Sequence, residues 1–204
     1  MTSLLGWLEA DDIAAPIRGV VFKPTGSVTA VHAERPLAND RHRLELQQRC
    51  FRRFPGFAPH SGDAPIAHQT EIISCIERLA GMGQLRLVMQ RDRPPTPGTA
   101  QSGRAYLRDL RARRARSEAW MDATRQKLVG LAQKLAALDQ KITASADALV
   151  CDFLVPRAPD SAIAAQTHDA LGLASDPLVE TGKITVSGLW VPLTFARCGA
   201  HAHV

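Results

Sequence analysis

Aromatic side chains are scarce, with only 5% of the 204 residues being Phe, Trp or Tyr. Binding of single-stranded nucleic acid by stacking needs successive aromatic platforms, so this supply argues against that mode. The four cysteines, Cys50, Cys75, Cys151 and Cys198, are widely separated and form no C-x-x-C pair. A zinc ribbon and a disulfide framework are thereby disfavoured. The first three lie in or beside apolar runs, where a free thiol behaves as a small hydrophobe, and a reducing cytoplasm is the expected setting. No run approaches the ~18 apolar residues of a membrane span. The opening residues 1–12 lack a basic region and turn acidic at once, unlike a signal peptide.

The usual signatures of catalysis are missing too. There is no G-x-x-x-x-G-K-[ST] phosphate loop, no G-x-S-x-G elbow and no H-E-x-x-H helix. Gly81-Met82-Gly83 precedes a strand-like run instead of opening a helix, so it reads as a helix stop and not as a dinucleotide fingerprint. Asp11 and Asp12 are adjacent, which suits a turn or cap better than acid–base work. His60 and His68 flank a Pro/Gly-rich stretch with no nucleophile in sight and read as surface polar residues. Cys198, His201 and His203 cluster at the C-terminus without a fourth ligand at fixed spacing, and an adventitious tail is the preferred reading over a metal site. No catalytic, cofactor-binding or metal-ligating set is predicted.

What remains is an ordinary globular composition, 45% hydrophobic and 22% charged, long enough to bury a core without a covalent staple. The formal net charge is +5, and arginine dominates the basic residues. Such a surplus suits an anionic or acidic partner, or simply a solvated basic surface.

The patterning predicts an α+β chain in two small domains. Residues 3–8 form a first strand, and 19–22 and 27–32 a hairpin around Pro24-Thr25-Gly26. A helix capped by Asn39 or Asp40 carries Leu44, Leu46, Cys50 and Phe51 at its apolar positions. Residues 55–65 read as loop. A second helix presents Ile72, Ile73, Cys75, Ile76 and Leu79, and residues 84–90 alternate like a half-buried strand. The proline-rich stretch 93–101 is predicted to link an N-terminal α+β domain, 1–92, to a C-terminal one, 102–204.

The second domain is built around one long helix, predicted from Ser102 to about Ala144. Its apolar seam is read through Met121, Leu128, Leu131, Leu135, Leu138 and Ile142. Its first half is strongly basic from Arg104 to Arg116. A buried strand follows over 148–155, then a shorter helix from Asp160 to Leu171. Residues 183–195 close the fold as one bent strand or two consecutive strands. Arg108, Arg111, Arg113 and Arg114 are the candidate partner-binding residues, since the planar guanidinium fork pairs well with carboxylates. Phosphates could be neutralised there as well.

Two segments carry a family resemblance. Gly103-Arg104-Ala105-Tyr106-Leu107, leading into the arginine-rich helix, resembles the G-R-A-Y-L-x-x-K/R-R element of the GvpF/GvpL gas vesicle proteins. Ile184 to Phe195 resembles that family's closing motif L-x-L-T-G-P-W-P-P-Y-S-F. Gly188, Trp190, Pro192 and Phe195 match it outright, while Leu189, Val191 and Leu193 stand where the family has Pro, Pro and Tyr. Weaker similarity extends over the first strand, the strand near Gly83 and the strand ending at Val155.

The resemblance implies a non-enzymatic gas vesicle assembly factor or minor structural protein, cytoplasmic and vesicle-associated. Its implied partners are the shell protein and other gas vesicle accessory proteins, without a cofactor and without a membrane. The alternative is a basic nucleic-acid-binding protein using the Arg104–Arg116 helix, the less favoured of the two. Read from the residues alone, Trp190 and Phe195 are expected to be core anchors.

Overall fold

The computed structural model describes residues 3–10, 16–61, 68–91, 103–145, 148–157, 162 and 182–196. Within them the chain is α+β, with two four-stranded antiparallel sheets and one helix of 32 residues. By contacts it divides into two units, each discontinuous in sequence. The first comprises Met1–Leu85, Leu154–Arg157 and Gly188–Val204, and the second Arg86–Phe153 and Ala158–Ser187.

The first unit contains β1 (Leu4–Glu9), β2 (Val20–Thr25), β3 (Val28–Ala33), helix α1 (Asp40–Arg53), β4 (Ala58–Pro59) and helix α2 (Gln69–Leu79). Its sheet runs in the order β2-β3-β1-β4. Both faces of the sheet are covered, which is why β1 reads as an almost unbroken apolar run. One face packs Trp7, Val28 and Ala30 against Ile72, Cys75, Ile76 and Leu79 of α2. The other packs Leu5, Leu8, Val31 and Ala33 against Leu46, Cys50 and Phe51 of α1. A register shift between Leu4 and Gly6 adjusts which β1 side chains meet each face.

The expected hairpin is present, with Thr25 opposite Val28 across a two-residue turn. Strand β2 continues through Pro24, which an edge strand tolerates because no neighbour needs its missing amide donor. The stretch 55–65 is not all loop, because Ala58 and Pro59 pair with Trp7 and Gly6 as the opposite edge strand. Gly6 permits that pairing: a side chain there would run into the Phe57 ring and the Ala58 carbonyl. Asn39 caps α1 as expected, its side chain accepting the His42 amide at 2.9 Å. His68 precedes α2, where its amide donates to Glu71 Oε2 at 3.0 Å, half of a capping box. His60 is half-buried and not a plain surface residue; its carbonyl accepts from Gln47 Nε2 at 2.9 Å.

Strand β5 (Met82–Arg91) leads toward the second unit, which holds α3 (Gly103–Lys134) and β6 (Asp139–Ala144). Strands β7 (Ala148–Pro156) and β8 (Gly182–Trp190) complete a sheet of order β6-β7-β5-β8. Buried apolar side chains of this unit include Leu87 and Met89 of β5, Leu128 and Leu131 of α3, and Leu149, Cys151 and Phe153 of β7. Arg86 and Asp152, on neighbouring strands, form a two-pronged ion pair with N–O distances of 2.7 and 2.9 Å. Asp152 is buried, and its hydrogen bonds hold the Arg86 pKa above its ordinary value.

The long helix ends ten residues earlier than the sequence predicts. Ala136 adopts φ +49°, Ala136 N–H donates to the Gln133 carbonyl, and Ala137 N–H to that of Ala132. This paired reversal terminates a helix by satisfying its last carbonyls, and glycine usually occupies the left-handed position. Alanine there gives no sequence signal. Leu138 and Ile142 are therefore not on the helix seam: Leu138 is exposed and Ile142 belongs to β6. The closing segment is one strand followed by a 3-10 turn, Leu193–Phe195, instead of a second strand. The predicted helix over 160–171 lies outside the described residues apart from Ala162, as do Asp11, Asp12 and the Cys198–His203 cluster.

Candidate partner-binding site

Helix α3 has one mostly apolar face, interrupted near its middle by Arg113 and Ser117. At 100° per residue, Tyr106, Leu110, Arg113, Ser117, Trp120, Thr124, Leu128 and Leu131 fall within one sector. The stripe is buried at Thr124, Leu128 and Leu131, half-buried at Ser117 and Trp120, and exposed at Tyr106 and Leu110, with half-buried Met121 and exposed Leu107 beside it. Leu128 is 1% exposed and Leu110 51%. The face that folds the C-terminal half of the helix into the core thus continues uncovered through the N-terminal half. Thr124 fits the buried part because its hydroxyl donates back to the Trp120 carbonyl at 2.7 Å.

Of the candidate arginines, Arg113 and Arg114 lie on or beside the uncovered stripe. Arg113 is on it and partly buried, Arg114 is exposed at its flank, and Arg104, Arg108 and Arg111 occupy the far side. Arg114 pairs with Glu118 at 2.9 Å, one turn on. Among the described residues no acidic side chain lies within ion-pair distance of Arg108, Arg111 or Arg113. Gly103, which opens the helix, is exposed, as is Arg104. The arrangement offers exposed apolar side chains with Arg113 and Arg114 beside them and further arginines on the opposite side of the helix.

The closing motif has a different geometry. Three side chains from other elements of the first unit hold its backbone. Gln48 of α1 donates from Nε2 to the Leu189 carbonyl at 3.0 Å and accepts the Val191 amide on Oε1 at 2.8 Å. Gln84 of β5 accepts the Thr194 amide at 3.0 Å, and Arg78 of α2 donates to the Phe195 carbonyl. Gly188 lies where a Cβ would meet Leu85 Cδ1 at 2.8 Å and the Leu85 Cα at 3.3 Å, so the strands approach too closely for a side chain.

Leu189 and Val191 point inward and are buried, which turns Trp190 outward. The expectation of a core tryptophan fails: Trp190 is 49% exposed, while Phe195 is buried as expected. Side-chain alternation along the strand, fixed by the two Gln48 bonds on either side, sets this orientation. Gln48, Gln84 and Arg78 had no sequence signal, since Gln48 and Leu189 are 141 residues apart. Pro192 leads directly into the 3-10 turn.

Burial shifts two thiols and one imidazole. Burial pushes the Cys50 and Cys151 thiols up to about 12, keeping them protonated and poor nucleophiles. Burial, with the Arg43 charge adding to it, lowers the His60 pKa. Among the described residues no group of three His, Cys, Asp or Glu side chains is placed to hold a metal. Among them, too, no helix is long and apolar enough to cross a membrane.

No protein-family model and no curated protein matches the sequence. Among solved structures, the crystal structure of the gas vesicle protein GvpF from Anabaena sp. PCC7120 is similar, with a TM-score of 0.68 at 14% identity. The match covers 100% of this chain and 98% of that one. The fold is that of GvpF. At this identity the likeness establishes the architecture from end to end and not the contacts of individual residues. The matched length includes both sequence motifs, one opening α3 and one closing β8.

Proposed function

We propose that this protein is a gas vesicle assembly factor or minor structural protein in the cytoplasm. In this reading the N-terminal half of α3 holds the shell protein or another gas vesicle accessory protein. The observation that carries the proposal is the uncovered continuation of the α3 stripe, supported by the end-to-end likeness to GvpF. Tyr106, Leu107 and Leu110 supply apolar area whose removal from water favours association by roughly 25 cal/mol per Å2. Arg108, Arg111, Arg113 and Arg114 orient the partner by pairing with its carboxylates and speed encounter. No bond-making chemistry is assigned to the protein. A hydrophobic shell protein needs cover before it assembles, and a helix that combines exposed apolar side chains with nearby arginines is suited to provide it.

The test is co-expression of the full chain with the major shell protein of its own organism, followed by capture in nuclease and high salt. Retention of shell protein supports the proposal. Loss of shell protein together with recovered nucleic acid transfers the Arg104–Arg116 surface to the alternative reading, whose signature is a steep dependence on salt.

A further inference from the structure

We propose that the first unit carries a second binding site, a depression lined by Pro16, Ile17, Arg18, Arg49, Arg52 and Arg53, that takes an acidic segment of a partner protein. Four arginines from two parts of the chain line it. Arg49, Arg52 and Arg53 come from one face of α1, and Arg18 from the segment that enters β2.

The bland account is that cations at a helix C-terminus complement the helix dipole. It covers Arg52 and Arg53, which lie in the last turn of α1. It does not cover Arg49 a turn earlier, nor Arg18 from another segment. Among the described residues none of the four has a carboxylate within ion-pair distance, and the ion pair on α1, Arg41 with Glu45, lies toward its other end. Like charges at i and i+4, as at Arg49 and Arg53, repel, and an anion between them relieves the repulsion. A fifth cation stands behind. Arg157 donates from Nη2 to the Arg52 carbonyl at 3.4 Å and stacks 4.3 Å above the Phe51 ring, with its Nη1 buried and lacking an acceptor.

The shape selects among anions. The depression is shallow and open, with about 350 Å3 of space, broader than one inorganic ion fills. Pro16 and Ile17 give it an apolar wall, which suits a chain carrying an apolar side chain between carboxylates. No aromatic residue lines it to stack a base. Guanidinium forks pair with carboxylates through two parallel hydrogen bonds, so several acidic side chains can be held in a fixed order.

The experiment is fluorescence anisotropy of the full chain with a labelled twelve-residue peptide of Asp and Glu flanking a central Leu. Saturable binding is expected, weakened about tenfold or more by R49E/R53E and less than about twofold by R41E, a single charge reversal on the same helix outside the depression. R49Q/R53Q, gentler on folding, is expected to weaken binding in the same sense. Capture of co-expressed shell protein by R49E/R53E is read alongside, so this proposal and the α3 proposal fail separately. Absence of saturable binding overturns the site, as does an equal loss with R41E. Displacement by duplex DNA or by anionic phospholipid vesicles at lower charge concentration than unlabelled peptide assigns the cluster to phosphate and overturns the acidic-segment assignment.

Discussion

Gln48 engages the carbonyl before Trp190 and the amide after it, imitating a neighbouring strand with one side chain. Replacing it with leucine leaves both backbone groups without their partner, and Q48L is expected to destabilise the fold by about 1–3 kcal/mol, read from urea midpoints. Tryptophan fluorescence should also report greater solvent contact at Trp190. Ala136 is strained in the opposite sense, since glycine adopts its left-handed backbone without a Cβ penalty. A136G is expected to stabilise by about 1 kcal/mol, a rise in melting temperature of a few degrees, and no gain would contradict the helix end described here. His60 sets a pH dependence. Its folded pKa is lowered, so the unfolded chain binds its proton first as pH falls below about 6.5. The contribution is complete above that value and is lost as pH drops through the folded pKa. The fall in denaturation midpoint between pH 7.5 and 5 should shrink in H60Q.

At the level of elements, the sequence reveals those whose signals are local. Asn39 announces α1, Ile72 to Leu79 recur at helical spacing, and the hairpin around Gly26 follows from β-branched runs and a turn residue. Strand β4 was hidden because its two residues are held by pairing with Gly6 and Trp7, more than fifty positions away. The end of α3 was hidden because an alanine takes the place of glycine, and the leucine spacing runs on into β6. Of the candidate site, the arginine run and the motif residues could be named from sequence. That the stripe is uncovered at Tyr106, Leu107 and Leu110, and that Trp190 faces outward, depends on which neighbours fold against them. The helix itself supplies a paired prediction. L128A removes a side chain that is 1% exposed and should cost about 2–5 kcal/mol, whereas L110S removes one that is 51% exposed and should change stability by less than about 0.5 kcal/mol.

For the whole molecule, closure is non-local: Gly188–Val204 belongs with Met1–Leu85 in the first unit, across the length of the chain. The match to GvpF spans the whole length of this chain, and so includes the α3-opening and β8-closing motifs together. The proposed function rests on the surface of α3. The decisive measurement is therefore capture of co-expressed shell protein by the wild type and by a variant with Tyr106, Leu107 and Leu110 all changed to serine, with melting curves recorded for both. The account predicts an unchanged melting temperature and a loss of captured shell protein of about tenfold or more. Equal capture by a folded variant would contradict it.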